Sequence, residues 1–512
     1  MGKTPSQDLF LLIKSLNKNE KGYIKKTAFR HTDGETNFLR LFDAIDSQKI
    51  YDDQKLRQSE KYVRQLPRLK NYLYEKILSS LETYHAAKNK DIQIRQLLNR
   101  VHVLFDKGFY DQCRRILFRA KEIADKQERF SLLLEILEWE RVLTIEKLMV
   151  ANIQEIGIQE KNVLDKLQNL AFYKSAYDRV SQLYTKTIYI RSESEKQEFK
   201  KIVGTKEFKN ENNASSITSQ ILLYKTIGKY LSALDDRKNY LHYARKAVAF
   251  MEAHPGYTDE HLLQYIKVLN NLIVTLGENG KHEEWKAAIK KLRAIPRTYP
   301  SANNEKMHSI IFMRAVIREF YYYQNQGDYY TAHKMVSKIQ EGLEKYYHLI
   351  SVTHRMLFYY AISYSYFIMG DLKKALEWSN SIINERLTLE TQAFHHFARI
   401  LNLIIHFELG NNDLLEYLVR STKRFFAREQ KLFKLENAVI QFIEKYIADT
   451  PDEKMTLQWL KSFREKISKM NDPLEYNILE YFDFLSWTES KIENKKFADV
   501  LSRKSKDRTA IA

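Results

Sequence analysis

The feature that most constrains this chain is a glycine turn that returns at nearly constant spacing. Gly108, Gly280, Gly327, Gly370 and Gly410 each follow an apolar helical stretch, and each precedes another one. The last three intervals are 47, 43 and 40 residues, and the 172 residues from Gly108 to Gly280 equal four steps of 43. A repeat of this length is typical of an α-solenoid built from helix pairs. We therefore expect an all-α, right-handed superhelical solenoid of antiparallel helix pairs with an N-terminal helical cap.

Composition agrees with an ordered helical chain. The 512 residues include only 14 Gly and 7 Pro, fewer turn residues than a sheet-rich fold of this length needs. The single cysteine, Cys113, excludes an internal disulfide framework and a cysteine-based zinc site. No run of 18 apolar residues is present, and the first apolar run, 9–13, is too short for a signal-peptide core. These features predict a cytoplasmic protein without a membrane span.

The helical pattern divides the chain into four segments. Residues 1–90 are predicted to form an N-terminal helical subdomain, and residues 91–450 the repeat array. Residues 451–503 are predicted to be capping helices, and 504–512 a basic tail. Turn signals are also expected near Ala151-Asn152, Ser192-Ser194 and Asp235-Asp236, where a step of about 43 residues places them.

The glycine turns share a local pattern with a known superfamily. After Gly108, Gly327 and Gly370, Tyr or Leu stands two residues on and a small residue five residues on, as in Gly327-Asp-Tyr-Tyr-Thr-Ala332 and Gly370-Asp-Leu-Lys-Lys-Ala375. The small residue lets paired helices approach closely. In this pattern the chain resembles the tetratricopeptide repeat superfamily, which implies helix-turn-helix units that bind proteins or peptides.

Two features depart from that superfamily. Trp285 and Leu415 stand where the small residue is usual, and the spacing near 43 exceeds the family's usual 34 residues. HEAT-like or irregular helical repeats are therefore the alternative architecture. The abundance of Lys, Ile, Asn and Tyr indicates an AT-rich bacterial genome.

Catalytic and cofactor motifs are not found in the sequence. Zincin, P-loop, dinucleotide-binding and nucleophile-elbow patterns are all missing. His395 and His396 are the most ligand-like pair, but adjacent helical residues point about 100° apart. We therefore predict a protein that is not an enzyme and holds no metal or cofactor. One of these two histidines is expected to be half-buried and the other exposed.

A candidate groove comes from positions thirteen and nine residues before each turn glycine. These positions are four apart and so share one helix face. They hold a cation with an amide or a second cation, a donor set that suits a peptide carboxylate or backbone. The set is similar in residue type to the clamp that some tetratricopeptide domains use on acidic or C-terminal peptides. The residues are Arg95 with Asn99, Lys267 with Asn271, and Arg314 with Arg318. Before Gly370 and Gly410 the rule fails, and the nearby polar residues are Arg355, Tyr359, Arg399 and Asn402.

The net charge of +18 and the sequence pI near 9.4 predict an acidic or anionic partner. Basic patches occur at Arg64 and Arg68 in the N-terminal segment, and at Arg420, Lys423 and Arg424. The favoured function is a non-enzymatic protein- or peptide-binding scaffold or adaptor. The alternative is a regulator whose basic N-terminal module acts on nucleic acid or on a regulatory protein, controlled through the repeats. The simpler interpretation of each basic patch is a solvated helix face without a binding role.

Overall fold

The computed structural model describes residues 6–27, 35–59, 66–86, 89–146, 152–186, 193–388, 391–429, 434–470 and 482–511. Within these ranges the regular structure is helical, with no strand. The predicted all-α class is therefore confirmed. The chain forms two compact units: unit 1 is Met1–Ser175 with Asn210–Gln220, and unit 2 is Ala176–Lys209 with Ile221–Ala512. No helix in the described part of the chain combines the length and apolarity that crossing a membrane requires.

Unit 1 begins with five helices around a core of their own. Ile13, Ile24, Phe42, Ile45 and Ile77 are all fully buried in this core. Pro67 lies in the first turn of the fifth helix, where proline is tolerated. The helices are α1 Ser6–Ser15, α2 Lys18–Thr27, α3 Glu35–Ser47, α4 Asp53–Ser59, α5 Leu66–Ala86, α6 Lys90–Asp106, α7 Tyr110–Lys126, α8 Phe130–Ile145 and the long α9 Ile153–Lys186, which continues into unit 2.

Unit 2 continues the series of helices to the end of the described chain. Consecutive helices pack as neighbouring pairs. Its helices are α10 Glu193–Val203, α11 Lys206–Lys209, α12 Ile217–Ala233 (which begins in unit 1), α13 Arg237–Glu252, α14 Pro255–Glu260, α15 Leu262–Glu278, α16 His282–Thr298, α17 Glu305–Asn325, α18 Tyr329–Lys334, α19 Val336–Tyr346, α20 Val352–Met369, α21 Leu372–Ile383, α22 Gln392–Glu408, α23 Asn412–Glu429, α24 Lys434–Asp449, α25 Glu453–Ser468, α26 Phe484–Ile492 and α27 Phe497–Ile511.

The five turn glycines all adopt the left-handed backbone conformation. Their φ angles lie between 64° and 84°, and each glycine separates two helices. The residue after the glycine donates its N–H to the carbonyl five positions earlier, as from Asp371 to Tyr366 at 3.0 Å. This bond satisfies a carbonyl that the end of the first helix would leave unpaired. The predicted role of these glycines in the inter-helix turns is therefore confirmed.

Residues other than glycine take the same conformation at further turns. Asp235, Thr450 and Asn494 have φ of 55°, 39° and 51°, and they separate α12 from α13, α24 from α25, and α26 from α27. Asp236 and Lys495 donate to carbonyls five residues earlier, whereas Pro451 has no N–H to donate. The turn predicted at Asp235-Asp236 is confirmed. The turns predicted near residues 151 and 192 fall at least partly outside the described residues.

The position five residues after each turn glycine is buried between paired helices. Cys113, Ala332, Ala375 and Leu415 are all fully buried there. The Ser363 hydroxyl of α20 donates to the Ala375 carbonyl of α21 at 2.7 Å, which requires the close approach that a small residue permits. Trp285 is accommodated differently, because its ring stacks on Tyr322 of α17 with centroids 3.9 Å apart.

The last helix folds back onto an earlier turn of unit 2. Ser502 of α27 donates to the carbonyl of Gly327 at 2.6 Å, and Ser505 donates to the carbonyl of Asn325 at 3.0 Å. Lys504, where the basic tail was predicted to begin, lies within α27 and pairs with Glu489 at 2.9 Å. These two hydrogen bonds attach α27 to the turn between α17 and α18.

Candidate functional site

A partly open cleft with basic and aromatic walls lies among α9, α12, α13 and α15 in unit 2. About 350 Å³ of empty space lies in and directly above it, part of which is open solvent. Its walls combine aromatic rings with amine and amide groups, from Tyr177, Tyr224, Lys225, Lys229, Tyr240 and Asn271. The described residues of these walls offer many hydrogen-bond donors and include no carboxylate.

A glycine inside α12 shapes this cleft. A Cβ atom at Gly228 would lie 3.1 and 3.2 Å from two carbons of the Tyr240 ring. Glycine in a helix interior is less favourable than alanine by about 1 kcal/mol, so it is expected where packing requires it. Gly228 thus allows the Tyr240 ring to lie directly against α12.

Two lysines of α12 approach one tyrosine ring of α9. The ammonium nitrogens of Lys225 and Lys229 lie 4.2 and 5.0 Å from the centroid of the Tyr177 ring. The Lys229 ammonium also donates to the hydroxyl of Ser181 at 2.8 Å. Because the two lysines are four residues apart on one helix, both charges face the same side. The ring quadrupole attracts these cations without neutralising them.

The charge on Lys225 is only partly compensated. Burial, and after it the charge of Lys267 on α15, lower the pKa of Lys225 from 10.5 to about 8. The exposed carboxylate of Asp178 acts in the opposite direction and is the smaller influence. Among the described residues Lys225, Lys229 and Lys267 form no ion pair. Uncompensated, half-buried cations of this kind favour an anionic ligand.

Two arginines of α17 add to the positive charge of this part of unit 2. Arg314 and Arg318 are half-buried, and Nε of Arg318 donates to Oδ1 of the buried Asn270 at 3.1 Å. Burial, and in second place Arg314, lower the pKa of Arg318. Burial raises the pKa of the cleft residue Tyr240, and the charge of Arg318 opposes that rise. Arg318 is therefore close enough to the cleft to act on it electrostatically.

The structure brings together four of the ten predicted groove residues. Lys267 is exposed, Asn271 lines the cleft, and Arg314 and Arg318 follow on the next pair. Neither arginine forms an ion pair within the described residues. Together with Lys225 and Lys229, these four residues form what we call the basic face.

The other predicted groove residues in unit 2 are already engaged. Arg355 stacks on Tyr347 with its guanidinium carbon 4.4 Å from the ring centroid, and it donates to the Ile350 carbonyl at 2.9 Å. Tyr359 packs against Trp378, with ring centroids 5.4 Å apart. Both side chains of α20 therefore already contact neighbouring elements of unit 2.

The predicted pair on α22 lies even deeper in the structure. Arg399 is half-buried, with its guanidinium carbon 4.4 Å from the Phe425 ring centroid. Asn402 is only 4% exposed and donates to Asn380 at 2.8 Å. Arg95 and Asn99 are exposed on α6 of unit 1 and are not part of the basic face.

The described residues of the predicted basic patches are exposed, and some of them form ion pairs. Arg68 is exposed on α5, whereas Arg64 lies outside the described residues. On α23, Arg420 pairs with Glu416 at 3.5 Å and Lys423 with Glu444 at 2.6 Å. Arg424 is exposed on the same helix. Ion pairing of this kind reduces the charge that a helix face offers to a polyanion.

The expectation for the two adjacent histidines is wrong. His395 and His396 are both buried, at 2% and 5% exposure. Nδ1 of His396 lies 3.5 Å from Oε1 of the buried Glu436. In the described part of the chain, no group of three or more His, Cys, Asp or Glu side chains is arranged to hold a metal ion.

The cleft residues Lys225, Lys229 and Tyr177 were missed by the reasoning from sequence. Their position relative to a turn could have identified the two lysines, because they precede Asp235 by ten and six residues on α12, the first helix of the pair that this turn joins. Tyr177 offered no such signal, since it lies on α9, far away in sequence. No protein-family model matches the chain, and no curated protein matches it.

Proposed function

We propose that the protein is a non-enzymatic scaffold or adaptor that binds an acidic segment of a partner protein on the basic face. The observation that carries this proposal is the run of cations on successive first helices, α12, α15 and α17, that form no ion pair with any described residue. Carboxylates of a partner would compensate these charges, and hydrogen bonds between charged groups are the stronger ones. The proposal includes the finer architecture, a right-handed, tetratricopeptide-like solenoid with a repeat near 43 residues, and a cytoplasmic location.

The order of the basic residues along the chain supports binding of an extended segment. Lys267 and Asn271 belong to the pair α15–α16, and Arg314 and Arg318 follow on the pair that starts with α17. An extended peptide crossing both pairs would meet donors at each step, with aromatic and arginine side chains as anchors. Such binding would weaken with added salt, because exposed charges are screened.

The test is fluorescence anisotropy with a labelled peptide rich in Asp and Glu, compared with the same peptide carrying Asn and Gln. The acidic peptide should bind, and Arg314→Ala should weaken it about tenfold, as expected for loss of one charged hydrogen bond of about 1.5 kcal/mol. Lys290→Met on the second helix α16 is the charge control, because Lys290 is exposed and lies outside the basic face. Circular dichroism would verify that both variants are folded.

Two results would overturn the proposal. One is equal binding of the acidic and amide peptides, and the other is equal weakening by Arg314→Ala and Lys290→Met. Single-stranded DNA or RNA of matched charge is the competitor in the same assay. Tighter binding of nucleic acid, lost on Arg68→Gln and retained in Arg314→Ala, would favour the regulator with a basic N-terminal module.

A further inference from the structure

The cleft within the basic face concentrates more positive charge than one carboxylate can neutralise. Lys225 and Lys229 both contact the Tyr177 ring, and Lys267 lies one helical turn before the cleft residue Asn271. We propose that this cleft binds a phosphate monoester, the phosphorylated side chain of a residue in the bound partner segment. This inference rests on the proposed function and assigns one subsite of the basic face.

The charge of the ligand follows from the charges around the cleft. A phosphorylated side chain carries about −1.5 to −2 at neutral pH and presents three strong acceptor oxygens. A carboxylate carries a single charge and two oxygens. Because Lys225, Lys229 and Lys267 form no ion pair within the described residues, the dianion compensates them more completely.

The donors around the cleft also match a phosphate group. Each ammonium group has three N–H donors, and the Asn271 side chain has two. Burial raises the pKa of the Tyr240 hydroxyl, which therefore stays protonated and able to donate. The aromatic walls exclude part of the water, so charge-assisted hydrogen bonds formed there are less screened.

The position of the cleft favours a phosphorylated segment over free phosphate. Asn271 lines the cleft and shares its helix face with Lys267, which belongs to the basic face. A segment lying along that face could place one side chain in the cleft. Its remaining contacts would then add to the affinity, whereas free phosphate would have only the contacts in the cleft.

The experiment compares three forms of one acidic peptide by isothermal titration calorimetry. The forms carry serine, phosphoserine or glutamate at the same central position. The phosphoserine form should bind at least tenfold more tightly than the serine form, and the glutamate form should recover only a small part of this gain. Inorganic phosphate, titrated alone, should bind at least tenfold more weakly than the phosphoserine peptide.

Three variants locate the gain at the cleft. Lys225→Met should reduce the phosphoserine gain at least tenfold, and Lys225→Arg should retain most of it. Lys290→Met is the matched control, since it removes the same charge from an exposed position on α16 and should leave the gain unchanged. A gain that survives Lys225→Met would overturn the inference.

Proton uptake on binding of the phosphoserine peptide tests Lys225 directly, because a lysine with a purely structural role would cause no uptake. The pKa of Lys225 is lowered to about 8, and a bound dianion would raise it again, so binding at pH 8 should take up protons. Arginine stays charged, so Lys225→Arg should bind without this uptake. The other charged or titratable groups facing Lys225 are the same in both proteins: Tyr177, Asp178, Tyr224, Lys229, Tyr240, Tyr243 and Lys267.

The outcomes separate the subsite from the proposed function. If the serine peptide binds through Arg314 and phosphorylation adds nothing, the subsite is refuted and the scaffold stands. If only inorganic phosphate binds, with the same affinity as the phosphopeptide, the cleft is a free-phosphate site and the inference fails. If no peptide and no phosphate bind, both the scaffold and the subsite are refuted.

Discussion

Both the backbone conformation and the packing at position 327 favour glycine, and Gly327→Ala disturbs both. Its φ of 74° is in the left-handed region, where a residue with a Cβ atom is less stable by about 1–2 kcal/mol. A Cβ there would also lie 2.8 Å from Cβ of Ser505 and 3.2 Å from the carbonyl oxygen of Ser502, both on α27. Overpacking of this kind costs about 1–3 kcal/mol.

Gly370 provides the matched control for this prediction. Its φ is 84°, and a Cβ atom there would meet nothing within 4 Å. Gly370→Ala should therefore destabilise the protein by the backbone cost alone, about 1–2 kcal/mol. Gly327→Ala should cost about 2–5 kcal/mol because the crowding against α27 is added. In Gly327→Ala, Ser505→Gly should restore part of the difference, since it removes the crowded Cβ.

The assay combines urea denaturation with hydrogen exchange followed by mass spectrometry. Long helical arrays can unfold in parts, so a single midpoint would not locate the change. Exchange should accelerate in α27 and in the turn around Gly327, because Ser502 and Ser505 lose their alignment with the carbonyls they bind. Equal destabilisation by Gly327→Ala and Gly370→Ala would refute the packing argument. So would unchanged exchange in α27.

Three further predictions follow from buried contacts and charges. Trp285→Ala should lower the free energy of unfolding by about 3–5 kcal/mol, because it removes a buried ring stacked on Tyr322; an unchanged urea midpoint would contradict this. Asp53→Asn should destabilise unit 1 by about 1–3 kcal/mol at pH 7, since it leaves the buried ammonium of Lys70 without its carboxylate. The hydrogen bond from Lys70 holds the pKa of Asp53 well below 3.8, so the difference in stability between Asp53→Asn and the unmodified protein should decrease as the pH falls below about 4. A difference that is independent of pH in urea titrations would contradict this. Lys225→Met should raise the free energy of unfolding at pH 7 by about 1–2 kcal/mol, because it removes a charge that burial destabilises. This gain in stability should decrease as the pH rises from 8 to 10.5, where the folded protein holds the amine neutral. A variant that is less stable at pH 7 would contradict the argument.

A stabilising substitution at Lys225 would fit the proposed binding role. The folded protein holds this amine half-buried, with a lowered pKa and no ion pair among the described residues. Sites that keep unfavourable charges are expected where a ligand supplies the missing partner. Loss of the phosphoserine gain together with increased stability would therefore distinguish a binding residue from a structural one.

Much of the local architecture could be predicted because neighbouring residues determine it. The five turn glycines were identified from their spacing and from the apolar helices on both sides, and all five adopt positive φ. The turn at Asp235-Asp236 was predicted because it falls where a step of about 43 residues places it. Thr450 and Asn494 take the same conformation, but neither residue type demands it, so their left-handed geometry became visible only in the structure.

For the candidate site, the sequence predicted which helix face some residues occupy but not whether their side chains are free. The rule that placed Lys267, Asn271, Arg314 and Arg318 on one kind of helix face depended only on their distance from a turn. The same rule could not distinguish a free side chain from an engaged one. Where the rule failed, choosing nearby polar residues had the same weakness: Asn402 had suitable chemistry, yet it is buried and bonded to Asn380.

The sequence alone determined the helical class, the glycine turns and the excess of positive charge, because backbone preference, apolar spacing and charge are properties of nearby residues. The tertiary structure alone decided which charges are compensated. Tyr177 meets Lys225 and Lys229 only because α9 packs beside α12, and the pKa of Lys225 falls because that packing removes water. Burial and pairing depend on which helices meet, and residues distant in sequence settle that together.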